Sequence, residues 1–79
     1  MKLISQLQLA ENNIAFHPSM GNSYQLNRVA KDIIGLLQQN RSKDEIITVL
    51  SDEYEISEEK LFIDVSDFLS KLKIYGLYQ

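Results

Sequence analysis

The chain has 79 residues, 44% of them apolar, a formal charge of −3 and a pI near 4.9. That suffices for one domain with one small core but not for a core plus a deep catalytic cavity, and the negative charge works against neutralising phosphate. Cysteine is absent, which excludes disulfides, a thiolate nucleophile and cysteine-held metal, and suits a reducing cytosol.

The opening segment Met1-Lys2-Leu3-Ile4-Ser5-Gln6-Leu7 is broken by polar residues before an apolar run of signal-peptide length accumulates. Further along, no window approaches the roughly 20 apolar residues that cross a bilayer. A soluble protein without a membrane partner is expected.

Residues 3–26 read as three short antiparallel strands. Leu3, Leu7 and Leu9 share one parity, Ile14 and Phe16 a second, Tyr24 and Leu26 a third, so each strand has one apolar face. Glu11-Asn12-Asn13 and Pro18-Ser19-Met20-Gly21-Asn22 supply the turns, since Asn and Gly tolerate positive φ.

At Tyr24-Gln25-Leu26-Asn27 the apolar period changes from two to that of a helix. Asn27 caps a first helix over about 28–39, in which Val29, Ala30, Ile33, Ile34, Leu36 and Leu37 recur at three- and four-residue spacing. Gly35 costs that helix about 1 kcal/mol relative to Ala, which favours close approach of a neighbouring backbone over tolerated weakness. Ser42-Lys43-Asp44-Glu45 is a capping box opening a second helix over about 43–54, with Ile46, Ile47, Val49, Leu50 and Tyr54 as its buried stripe. Ser57 caps a third helix over about 58–75, flanked by Ile56 and Leu61 at hydrophobic-staple spacing, and Gly76 stops it. Placed at about 100° per residue, Tyr75, Phe68, Leu61, Leu72, Val65, Leu69 and Phe62 span an arc of about 140°, wider than the roughly 100° that one core contact needs. Part of that arc is available for a second partner, unless the strands cover all of it.

Catalytic constellations are missing from the sequence. His17 is the only histidine, which rules out a multi-imidazole metal site, and no oriented partner marks it as a base. The carboxylates Asp52, Glu53, Glu55, Glu58, Glu59, Asp64 and Asp67 lack the glycine turn of a calcium loop and fit helix caps and a solvated face. The serines sit in no nucleophile elbow or phosphate loop. The helix-turn-helix character of residues 43–75 raises a DNA-binding transcription regulator as the alternative function. Against it, helix three exposes Glu58, Glu59, Asp64 and Asp67 beside only Lys60, Lys71 and Lys73.

Read in order, the strand Ile14-Ala15-Phe16-His17-Pro18, the Gly21 turn, Tyr24-Gln25-Leu26-Asn27 with Ala30, and Leu36-Leu37 form a pattern. It continues through Arg41-Ser42-Lys43-Asp44-Glu45-Ile46, Leu50 with Tyr54, Val65, Phe68, Leu69 and Leu72, to Gly76-Leu77. From Ile14 to Tyr78 the chain resembles the PqqD-like proteins, the precursor-peptide recognition elements of ribosomally made, modified peptides. The resemblance implies an α+β, winged helix-turn-helix-like single domain over 1–79, a three-stranded antiparallel sheet followed by three helices. It also implies a domain without catalytic activity or cofactor that binds the leader of a precursor peptide as an added strand. That leader would be presented to a modifying enzyme such as a radical S-adenosylmethionine enzyme or a lasso-peptide leader peptidase.

Carried over, the edge strand is Ser23, Tyr24, Gln25 and Leu26; Val65, Phe68 and Leu69 would line an apolar groove, with Asp64 and Lys71 at its rim. The turn Pro18-Ser19-Met20-Gly21-Asn22 departs from the acidic Pro-Glu-Gly type of the pyrroloquinoline quinone pathway members, which points to another peptide. The same edge, paired with a second copy, would give a homodimer.

Overall fold

The computed structural model describes residues 3–18 and 21–78. It is an α+β domain: a three-stranded antiparallel sheet followed by three helices. The strands are β1 (Gln8–Ala10), β2 (Ile14–His17) and β3 (Asn22–Gln25), and the helices are α1 (Arg28–Gln38), α2 (Lys43–Tyr54) and α3 (Glu58–Ile74). The helices lie within one residue of their expected ends. No helix is long and apolar enough to cross a membrane among the described residues.

The first strand begins later than its leucine spacing suggests. Leu3–Gln6 forms a 3-10 turn, whose end is bonded by the Leu7 amide to the Ile4 carbonyl at 3.2 Å. Ile4 and Leu7 are thereby both buried. The Gln38 side-chain Nε2 of α1 donates to the carbonyls of Ile4 (3.1 Å) and Leu7 (2.7 Å), and the Ile4 backbone amide donates to the Leu77 carbonyl at 2.9 Å. Irregular backbone is tolerated in a core when its polar groups are satisfied in this way.

At the first turn, Asn12 and Asn13 take φ of 66° and 58°, the left-handed conformation that Asn adopts at low cost. The second turn closes with Gly21 at φ 73° and its amide 2.8 Å from the His17 carbonyl. Ser19 and Met20 of that turn lie outside the described residues.

The face of β2 is the reverse of its apolar pattern. Ala15 and His17 are fully buried, whereas Phe16 is 37% exposed and Ile14 half-buried. Register explains the inversion: Ala15 pairs with Leu9 on one side and Tyr24 on the other. Paired residues share a face of the sheet, so the small Ala15 lies between two large side chains that both pack on the core.

Each helix start is capped by a side chain, and α1 and α3 are also stopped by a left-handed residue. The Asn27 side chain accepts from the Ala30 amide at 2.7 Å, and Ser57 accepts from Lys60 at 3.3 Å. Ser42 and Glu45 satisfy each other's amides at 3.1 and 3.0 Å, and the Ser42 amide holds the Glu45 carboxyl below its ordinary value. Asn40 (φ 63°) and Gly76 (φ 75°) terminate α1 and α3 in the left-handed conformation. In both cases the following residue's amide reaches back to the last turn: Arg41 to Leu36 at 3.0 Å, Leu77 to Leu72 at 2.9 Å. Gly35 is not a close-approach position, because a Cβ there would meet nothing within 4 Å.

Ile33, Ile34, Ile46, Leu50, Leu61, Val65 and Leu77 form the centre of the core, joined by Ile4 and Leu7.

Candidate functional site

The strand order is β1-β2-β3, so β3 pairs only with β2 and its other edge is open among the described residues. Which groups face that edge follows from the register. The Leu26 amide donates to the Asn13 carbonyl at 2.8 Å, continuing the pairing of Tyr24 with Ala15 and Asn22 with His17. In an antiparallel ladder, residues that exchange both bonds with one neighbour alternate with residues that turn both groups the other way. Asn22, Tyr24 and Leu26 are therefore committed to β2, and Ser23 and Gln25 direct their N–H and C=O outward. Within Ser23–Leu26 these two are the residues whose backbone groups face away from β2.

A cleft runs from this edge to α3. Its walls include Ser23, Tyr24, Gln25 and Leu26 from the strand side, and Phe68 and Lys71 of α3 with Tyr75 just past its end. The rings of Tyr24 and Tyr75 lie 5.5 Å apart between centroids, at 46°. Asn27, Ala30, Phe68 and Lys71 continue into an adjoining depression bordered by Asp64 and Asp67.

Of the expected α3 residues, Phe68 is half-buried on the cleft wall and Lys71 is exposed beside it. Asp64 is on the rim, paired with Lys60 at 2.9 Å. Val65, fully buried, and Leu69, at 7% exposure, belong to the core and line neither depression. Tyr75, Asn27 and Ala30 contribute to the walls although the sequence does not single them out for this role. The signal for Tyr75 is its place in the wide apolar arc; for Asn27 and Ala30 it is concealed by their helix-capping and core duties.

The chemistry available is that of a binding surface. The strand edge offers two amides and two carbonyls, Phe68 and the tyrosines offer apolar and aromatic area, and Lys71 offers one cation. The helix-turn-helix face is acidic instead: Glu58 and Glu59 occupy the first turn of α3.

The sequence model of the family described as "Coenzyme PQQ synthesis protein D (PqqD)" matches residues 13–77. The chain belongs to the PqqD family. Two solved structures share its fold. TbiB1 in complex with the TbiA(beta) leader peptide superposes with a TM-score of 0.80 at 25% identity, covering 98% of this chain and 93% of that one. A lasso peptide synthetase B1 complexed with the leader peptide superposes with a TM-score of 0.77 at 22% identity, covering 90% and 85%. No curated protein matches. The match to the PqqD family begins one residue before β2 and ends at Leu77, so β1 and the 3-10 turn before it lie outside the matched segment.

Proposed function

We propose that this PqqD-family domain is a noncatalytic recognition module of the cytosol that captures the leader of a ribosomally made precursor peptide and presents the peptide to a modifying enzyme. The observation that carries the reading is the open edge of β3 beside the β3–α3 cleft. Both similar solved structures are complexes with leader peptides, which supports the same class of guest here.

The mechanism is strand addition. Ser23 and Gln25 bond to the guest backbone, which gives affinity without regard to sequence. Guest residues opposite Tyr24 and Leu26 lie on the sheet face that Tyr24 shares with Ala15, so two side chains spaced i, i+2 enter the cleft toward Phe68 and Tyr75. Lys71 favours a carboxylate on the guest near that wall. Asp64 exchanges its exposed pairing with Lys60 for a guest cation at little cost, because such pairs contribute about 0.2–1 kcal/mol. Val65 and Leu69 support Phe68 from within the core. The enzyme served is of the radical S-adenosylmethionine or leader-peptidase kind.

The test is titration of the isotope-labelled domain with leader segments of short precursors encoded beside it. Amides of Ser23 and Gln25 are expected to shift and to become protected from solvent exchange, together with shifts at Phe68, Lys71 and Tyr75. Saturable binding that leaves Ser23 and Gln25 unprotected refutes strand addition. Peptide-competed self-association would instead identify a homodimer built through the same edge.

A further inference from the structure

Beyond the cleft, α2 and α3 share an apolar patch whose outer part, Phe62 and Ile63, lies outside the core. Phe62 and Ile63 are 53% and 60% exposed, and with Ile47 and Thr48 they floor a shallow depression bordered by Asp44, Glu58 and Glu59. At about 100° per residue, the cleft-side residues Asp64, Phe68, Lys71 and Tyr75 fall within about 60° on α3; Phe62 and Ile63 lie about 150° and 110° from the centre of that arc. A guest in the cleft leaves this patch uncovered.

The border determines what fits. Asp44, Glu58 and Glu59 are exposed and take part in no ion pair among the described residues, where the two ion pairs are Arg41 with Glu45 and Lys60 with Asp64. The three carboxylates complement their helix dipoles from the water side, an arrangement that leaves them available to an incoming cation. The Lys43 ammonium already covers the Phe62 ring, 4.1 Å from its centroid, so the site open to a partner's cation is the carboxylate border and not the ring face. An apolar centre whose border carries three carboxylates against the one Lys43 ammonium is complementary to an apolar side chain flanked by Lys or Arg.

We infer that the Phe62–Ile63 face is a second docking surface, for a protein partner that presents an apolar residue between basic ones. It holds that partner while the cleft holds the peptide. The inference rests on the strand-addition reading only in giving the two surfaces different guests. Under that reading the natural occupant is the enzyme that acts on the captured peptide.

The probe is a synthetic amphipathic helical peptide with a leucine stripe flanked by arginines, compared with a counterpart carrying glutamate at every arginine. Binding of the basic peptide should shift amides of Asp44–Thr48 and Glu58–Ile63, weaken with salt, and persist when the cleft is saturated with leader. Ile63→Lys, at a site exposed enough to leave the fold intact, and Glu59→Gln should each reduce it, the former by roughly tenfold. Equal binding of the acidic counterpart, shifts confined to Ser23–Leu26 and Phe68–Tyr75, or an unaffected Ile63→Lys variant overturns the inference. So does a dimer that Ile63→Lys dissociates, since a second copy would then cover the patch. The two surfaces report through separate amides, so failure here is distinguishable from failure of leader capture at Ser23 and Gln25.

Discussion

Tyr24 of β3 and Tyr75, the residue that caps α3, meet across the cleft with ring centroids 5.5 Å apart. Tyr75 is nonetheless 54% exposed, so its ring contributes more to the cleft wall than to the core. Tyr75→Ala is expected to lower leader affinity severalfold while changing unfolding stability by no more than about 1 kcal/mol, the scale of one aromatic pair. Calorimetric titration and chemical denaturation of the same variant check both halves.

Strand addition through alternate residues makes a sharper demand. Gln25→Pro removes an outward-facing amide on an edge strand, where proline is tolerated, whereas Tyr24→Pro removes an amide committed to β2. The first variant should keep its thermal transition and lose most peptide binding. The second should unfold at markedly lower temperature. Equal behaviour of the two would mean that the alternation along β3 is assigned to the wrong residues.

Gly35 stands in the interior of α1 with open space where a side chain would project, and its backbone is ordinary helix. Gly35→Ala should therefore stabilise the domain by about 0.5–1 kcal/mol through helix propensity and reduced unfolded-state entropy. Urea denaturation measures it. A loss of stability would reveal a close approach at this position.

The Tyr54 hydroxyl of α2 donates to the Asp32 carboxylate of α1, with the Arg28 guanidinium carbon 5.9 Å from the Tyr54 ring centroid. The bond to Asp32 raises the phenol above its ordinary value of 10.0. Because the folded form holds the phenolic proton more tightly, this contribution is complete below about pH 10 and is lost as pH rises through the raised folded value. Tyr54→Phe should cost about 1 kcal/mol near neutrality. Its deficit relative to the parent chain should shrink above about pH 10 in denaturation curves taken across the alkaline range.

The helices were legible because their instructions are local. Asn27, Ser42 and Ser57 each cap within three residues of themselves, and Asn40 and Gly76 stop the chain where they stand. The sheet depends on partners distant in sequence. Nothing near Phe16 says that it faces outward; Ala15 is drawn inward by Leu9 and Tyr24, which belong to the flanking strands. The same limit applies on α3, where Val65, Phe68, Leu69 and Tyr75 occupy one apolar arc. Only the positions of β3 and α1 divide that arc into core and cleft wall. Likewise Ser23 to Leu26 is recognisable as a strand, yet the alternation that turns Ser23 and Gln25 outward depends on the phase of pairing with β2, which is fixed by the turn between them.

The brevity of β3 has a bearing on the peptide as well as on the domain. β3 is four residues long and followed directly by Leu26 and the Asn27 cap of α1, so under the strand-addition proposal it would hold a stretch of peptide only about 13 Å in extent. Such a grip would fix where a peptide is held and leave the remainder on a tether. How far a reacting residue could travel from the point of capture would then be written in the peptide's own spacing, and substrates of different lengths would share one handle.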